Sequence, residues 1–234
     1  MTRVAINNAL WGTSLALQCA LLAVLFARGV ARRLPCFTVL LAFYPLRAVV
    51  LFGLFGHLAT PDYAGLNDWL SLAGLLLQLV VAVEIGVKIF RVAARRWGAW
   101  VVPVAAWAGT MLLLAVLPAR SPVPPDRLQM FCSLTMVLLG VWAVVERAPR
   151  LVGRVAAGLA AYGVVDLMAT AGKAAAGLHR DARSFAAWSY ASSVVYVGVV
   201  VFWIFALRRD GAAGSAAEGS AVFDRVRGGG GLVS

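Results

Sequence analysis

Apolar stretches of about 20 residues recur along nearly the whole chain, and they constrain its fold more than any other feature. A helix of that length matches the hydrocarbon thickness of a bilayer, whereas an open strand leaves its amides unsatisfied in lipid. Charged residues make up 13% of the sequence, about half the share of an ordinary soluble domain. The sequence therefore predicts an all-α membrane protein.

The spacing of these stretches predicts a seven-transmembrane-helix bundle over residues 1–209. Its segments fall at about residues 7–28, 36–57, 68–91, 98–118, 127–146, 151–177 and 184–207. Short connections make neighbouring segments antiparallel. Residues 210–234 are rich in Gly, Ala and Ser, and this composition is typical of a disordered C-terminal tail.

Basic residues are distributed unequally between the two sides of this topology. The side that holds the C-terminus carries twelve Lys and Arg residues beside the segments, against six on the opposite side. Because positive residues accumulate in cytoplasmic loops, we predict an N-terminus outside and a C-terminus in the cytoplasm. The net charge of +11 then reflects contact with anionic head groups, so we expect the lipid bilayer as a partner and no nucleic acid.

An offset of 119 residues aligns the first three predicted segments with the last three and leaves the fourth as a linker. One interpretation is a 3+1+3 parallel internal repeat, which is an architecture of transporters. The other is a chance match between evenly spaced apolar helices. The same offset places Arg47 on Asp166, each 12 residues beyond a predicted inner boundary, so both lie about 18 Å into the membrane.

Arg47 and Asp166 are the candidate functional residues with the strongest physical argument. A charge near mid-membrane costs about 2.5–3.5 kcal/mol, so both side chains are predicted to face the interior and to meet, directly or through a water or a bound anion. Tyr44 shares the face of Arg47, and Tyr162 and Lys173 share the face of Asp166. Two interpretations stay open, namely a buried ion pair that locks the bundle and a ligand-binding site.

Glu84 is a further candidate, near the predicted cytoplasmic end of its segment. It precedes Lys88 by four residues, so the spacing favours an i,i+4 pair over a proton carrier. The sequence contains no nucleophile–base pair and no cluster with metal-ligand spacing, so we expect no catalytic residues, no metal and no cofactor. A haem held by His57 and His179, at two predicted outer helix ends, is an alternative.

The second predicted segment carries the motif Leu34-Pro35-Cys36-Phe37, followed by Arg47. It resembles a group of uncharacterised seven-helix integral membrane proteins that is abundant in acidobacteria. The resemblance implies the seven-helix topology, a bacterial cytoplasmic (inner) membrane and Arg47, Glu84 and Asp166 as the polar positions. This chain has Asp in the sixth segment where the group has Glu, and the resemblance implies no activity.

From these features we expect a multi-pass membrane protein that has no catalytic activity. It would serve as a small-ligand sensor, or as a subunit or scaffold of a complex with a membrane protein partner or with further copies of itself. The alternative is a small-solute transporter, built on the 3+1+3 repeat, with a midplane site at Arg47 and Asp166.

Overall fold

A computed structural model describes the backbone of residues 3–55, 57–93, 124–178 and 181–228, and the side chains of residues 11–55, 57–91, 127–177 and 181–208. Within these ranges every regular element is helical. The helices are α1 (Arg3–Ala27), α2 (Val30–Arg33), α3 (Pro35–Leu54), α4 (Thr60–Ala93), α5 (Pro124–Val145), α6 (Arg150–Leu178) and α7 (Ala182–Gly228).

The prediction of an all-α membrane protein is confirmed. Five helices, α3 to α7, are long and apolar enough to cross a membrane, and α1 adds a shorter apolar stretch, Trp11–Ala27. Large apolar side chains such as Phe52, Trp69 and Val144 are more than 60% exposed, as expected where a helix faces lipid. The fourth predicted segment, 98–118, lies outside the described residues, so the count of seven helices stays a prediction.

Local sequence explains how α1 ends and how α3 and α4 begin. Gly29 has a φ of +65°, a left-handed conformation that favours glycine and ends the helical path of α1. Pro35 occupies the first turn of α3, where its missing N–H costs no helical hydrogen bond. The helix α4 begins at Thr60, eight residues before the predicted start of the third segment, and this places Asn67 on the helix instead of in a loop.

The six long helices form a ring. Within the described part of the chain, each long helix packs against the next long helix, α7 returns to contact α1, and α4 also touches α6. A 3+1+3 repeat predicts this order, but so does any bundle whose successive helices pack side by side, so the repeat stays a prediction. The helix α7 continues to Gly228, into the tail whose side chains lie outside the described residues. The predicted disorder of the tail likewise stays a prediction.

Close packing of α6 against its neighbours depends on glycines. A Cβ on Gly158 would overlap the indole of Trp203 on α7. A Cβ on Gly163 would lie 2.6 Å from the carbonyl oxygen of Ser133 on α5, well inside van der Waals contact. Small residues let membrane helices approach until polar side chains can bond across the interface. This approach brings Ser133 within reach of α6.

The buried apolar core occupies one end of the bundle. Its residues fall within 21–41, 81–89, 136–159 and 199–207. These ranges include the end of α1, the start of α3, the ends of α4 and α5 and the start of α6, which lie at one side of an antiparallel bundle. We call this end the packed half. The opposite end, the polar half, contains residues 11–18, 44–75, 127–135, 162–177 and 182–196, and includes Arg47 and Asp166.

Candidate functional site

Arg47 is held by two neutral side chains of the neighbouring helix. Its Nη2 donates to Oδ1 of Asn67 at 2.9 Å and to Oγ of Ser71 at 2.8 Å. The hydroxyl of Ser71 donates to the backbone carbonyl of Asn67 at 2.7 Å, which leaves its oxygen free to accept from the guanidinium. Arg47 lies seven residues before the end of α3, so this cluster is about 10 Å below the helix ends.

The remaining donors of Arg47 have no hydrogen-bond partner among the described side chains. Nη2 uses both of its protons on Asn67 and Ser71, which leaves three N–H groups, on Nε and Nη1. Among the described side chains, no carboxylate lies within ion-pair distance of Arg47. An arginine stays charged even in this environment. The described structure thus holds a half-buried positive charge that no carboxylate compensates.

Asp166 is buried on α6, with 7% of its surface exposed, and accepts hydrogen bonds from α5. The hydroxyl of Ser133 and the amide of Gln129 each reach its Oδ2 at 2.5 Å, and the hydroxyl of Tyr162 lies 3.4 Å from Oδ1. Ser133 also lies 2.9 Å from the carbonyl of Gln129, but its single proton favours the carboxylate, which is the stronger acceptor. These contacts join α5 to α6.

The structure does not contain the predicted direct contact between Arg47 and Asp166. Each charged group is hydrogen-bonded instead to an amide residue and to a serine four positions later on an adjacent helix. Equal depth is insufficient for a contact, because the rotation of each helix and its lateral neighbour decide which side chains meet. A connection through a water or a bound anion stays a prediction.

Three tyrosines from three helices lie at the boundary between the two halves. Tyr196 on α7 contacts Tyr44 on α3 and Tyr162 on α6 edge to face, with ring centroids 5.8 Å and 5.7 Å apart. The amide of Gln78 donates to the hydroxyl of Tyr44 at 2.6 Å. Tyr44 lies about one turn before Arg47 and Tyr162 about one turn before Asp166, so the tyrosine layer adjoins both charged clusters.

A small cavity of about 20 Å³ adjoins the tyrosine layer. Its walls are formed by the three tyrosines, Gln78 and apolar residues that include Trp203. The Nε1 of Trp203 is buried and has no hydrogen-bond partner among the described residues. This volume provides room for about one water molecule.

Glu84 has a different role from the predicted pair with Lys88. Its Oε2 accepts the backbone N–H of Phe37 at 3.0 Å, and the structure places no ion pair between Glu84 and Lys88. Phe37 is the third residue of α3, so Glu84 satisfies one of the free amides of a helix N-terminus and complements its dipole. Lys173 is half-buried and makes no polar contact within the described part of the chain.

Sequence reasoning missed two partners of the charged residues, Asn67 and Gln129. A signal was present, since two segments carry an amide residue four positions before a serine, as Asn67 with Ser71 and Gln129 with Ser133. His57 is exposed at the end of α3, and His179 lies outside the described residues. No group of three His, Cys, Asp or Glu side chains suited to a metal occurs among the residues that the structure describes.

Comparisons with family models, with curated proteins and with solved structures give no match for this chain. The function must therefore be argued from the geometry of the bundle alone.

Proposed function

We propose that this protein is a small-ligand sensor, or a ligand-binding subunit of a larger complex, in a bacterial cytoplasmic membrane. In this proposal it crosses the membrane seven times, with its N-terminus outside, and the polar half faces the outside. The observation that carries the proposal is the environment of Arg47, a charged residue in a helix that can span the membrane. Asn67 and Ser71 position its side chain, and its Nε and Nη1 donors have no partner among the described side chains.

The division of the bundle supports this proposal. The packed half is a continuous apolar core that resists deformation, because interiors of this kind are packed as densely as organic crystals. The polar half has half-buried hydrogen-bonding groups, among them Arg47, Gln129 and Tyr196. In this proposal, a ligand bound there changes the packing of the tyrosine layer, which joins α3, α6 and α7 and so transmits the change to the packed half.

The proposal is tested by the accessibility of a cysteine in the polar half. Cys132 is buried, and its Sγ lies 3.8 Å from the carbonyl of Leu75 on α4. A ligand that tightens the polar half is expected to slow the reaction of Cys132 with a membrane-permeant maleimide, and the Cys132→Ser protein, treated in the same way, is the control for labelling at the other cysteines. The measurement uses purified protein in nanodiscs, exposed in turn to fractions of a bacterial extract. The absence of any protecting fraction would contradict the sensor proposal.

A transporter is the second candidate, motivated by the offset of 119 residues that aligns the first three predicted segments with the last three. Uptake of solutes into liposomes that contain the purified protein separates the two functions. Substrate-dependent uptake that is lost in Arg47→Ala would support the transporter. Protection of Cys132 without uptake would support the sensor.

A further inference from the structure

We infer that the Arg47 cluster binds an oxyanion, a carboxylate or phosphate group, which approaches the free edge of the guanidinium. The inference rests on the proposed ligand-binding function and names the chemical class of the ligand. It follows from three properties of the cluster, namely its donors, its charge and its fixed geometry.

The free hydrogen-bonding groups of the cluster are donors. Because a guanidinium can only donate, the atom of Asn67 that faces Arg47 must be the amide oxygen, and its NH₂ group is left as a donor. Nε and Nη1 of Arg47 add three N–H groups without described partners. A set of donors selects a ligand that only accepts, and carboxylate and phosphate oxygens fit that requirement.

The charge of the cluster also requires an anion. Asn67 and Ser71 contribute dipoles but no negative charge. The carboxylate of Asp166 accepts hydrogen bonds from Gln129 and Ser133 on α5 and forms no ion pair with Arg47. A membrane-embedded arginine normally has an anionic or carbonyl partner, since leaving the charge uncompensated is costly. A bound oxyanion supplies the missing charge in a place where water screens it poorly.

The geometry is fixed before a ligand arrives. Two hydrogen bonds to one nitrogen fix the plane of the guanidinium, and the bond from Ser71 to the carbonyl of Asn67 fixes one of the acceptors. Binding of an anion therefore requires little further ordering of side chains, so the entropic cost of binding is small. The oxyanion comes either from a lipid head group or from a soluble molecule, and both sources have the same chemistry at Arg47.

The decisive variant is Asn67→Asp, which is nearly isosteric and gives Arg47 a carboxylate within the existing contact. We expect it to fold and to weaken anion binding by about tenfold or more, because the new carboxylate neutralises Arg47 and repels the ligand. Arg47→Gln is expected to weaken binding to the same degree, and Arg47→Lys less. Arg127→Gln removes a half-buried arginine at the same end of the bundle and is the matched control.

The probes are inorganic phosphate and acetate for a soluble ligand, and phosphatidylglycerol nanodiscs compared with phosphatidylcholine nanodiscs for a lipid. Thermal unfolding of the full chain reports binding. Saturable stabilisation that is lost in Asn67→Asp and kept in Arg127→Gln supports the inference, and the effective probe identifies the source. Equal stabilisation of the parent and Asn67→Asp proteins, or no stabilisation by any anion, overturns it. If a fraction of the bacterial extract that contains no anion then still protects Cys132, the sensor proposal stands. If no fraction protects Cys132, the sensor proposal and the oxyanion inference both fail.

Discussion

The contact of α6 with α5 at Gly163 is a sensitive point of the bundle. A methyl group added there would lie 2.6 Å from the backbone carbonyl of Ser133, and this carbonyl cannot rotate away as a flexible side chain can. To restore ordinary contact, α5 must recede from α6 by roughly 0.8 Å. The same movement lengthens the hydrogen bond from Ser133 to Asp166, which is 2.5 Å long.

The cost of Gly163→Ala is a balance of three effects. Overpacking of this kind costs about 1–3 kcal/mol, and weakening a hydrogen bond to a charged group costs up to about 3 kcal/mol. The greater helix propensity of alanine offsets about 1 kcal/mol of this loss. We therefore expect Gly163→Ala to lower the free energy of unfolding by up to about 5 kcal/mol, the value reached when both unfavourable effects are at their largest.

Another glycine of α6 provides the control. A Cβ on Gly153 would lie 3.7 Å from its nearest neighbour, the carbonyl oxygen of Ala148, so Gly153→Ala gains helix propensity without overlap. It is expected to be neutral or to stabilise by up to about 1 kcal/mol. The assay is reversible unfolding in mixed micelles of mild detergent and SDS, followed by tryptophan fluorescence. If both variants unfold at the same SDS fraction, the close approach of α5 and α6 at Gly163 is refuted.

Glu84→Gln is expected to cost about 1 kcal/mol in the same titration, because a neutral amide is a weaker cap for the N-terminus of α3. An equal loss in the control Glu146→Gln would argue against capping. A double-mutant cycle is expected to give a coupling of about 1.5–3 kcal/mol between Asp166 and Ser133 but below about 0.5 kcal/mol between Asp166 and Arg47. Strong coupling of the second pair would mean that a bound group connects them. A fluorescent protein fused behind the last membrane segment is expected to fold in the cytoplasm, and an active periplasmic reporter at that junction would reverse the proposed orientation.

Hydropathy summed along the chain was sufficient to predict the class of fold. Each backbone amide in lipid must be satisfied within its own helix, so an apolar run of sufficient length has one stable conformation. For this reason six of the predicted segments coincide with α1, α3, α4, α5, α6 and α7. The start of α4 was missed, because residues 60–67 are polar and helical outside the apolar run.

The sequence also predicted which charged residues lie on helices that can span a membrane, since the position of a residue along a helix follows from the apolar run that contains it. Arg47, Glu84 and Asp166 all lie on helices that can span the membrane, as predicted. The predicted partners of these residues were wrong, or no partner was predicted. Arg47 bonds to Asn67 and not to Asp166, and Glu84 bonds to a backbone amide and not to Lys88.

The tertiary structure decided these partners for a physical reason. Position along a helix is a one-dimensional quantity, whereas a hydrogen bond requires two helices to be adjacent, correctly rotated and close. Closeness depends on residues with no polar group of their own, such as Gly163, whose missing side chain lets Ser133 reach Asp166. The separation of a packed half from a polar half likewise arises only when all the helices are assembled, because each helix taken alone is apolar along most of its length.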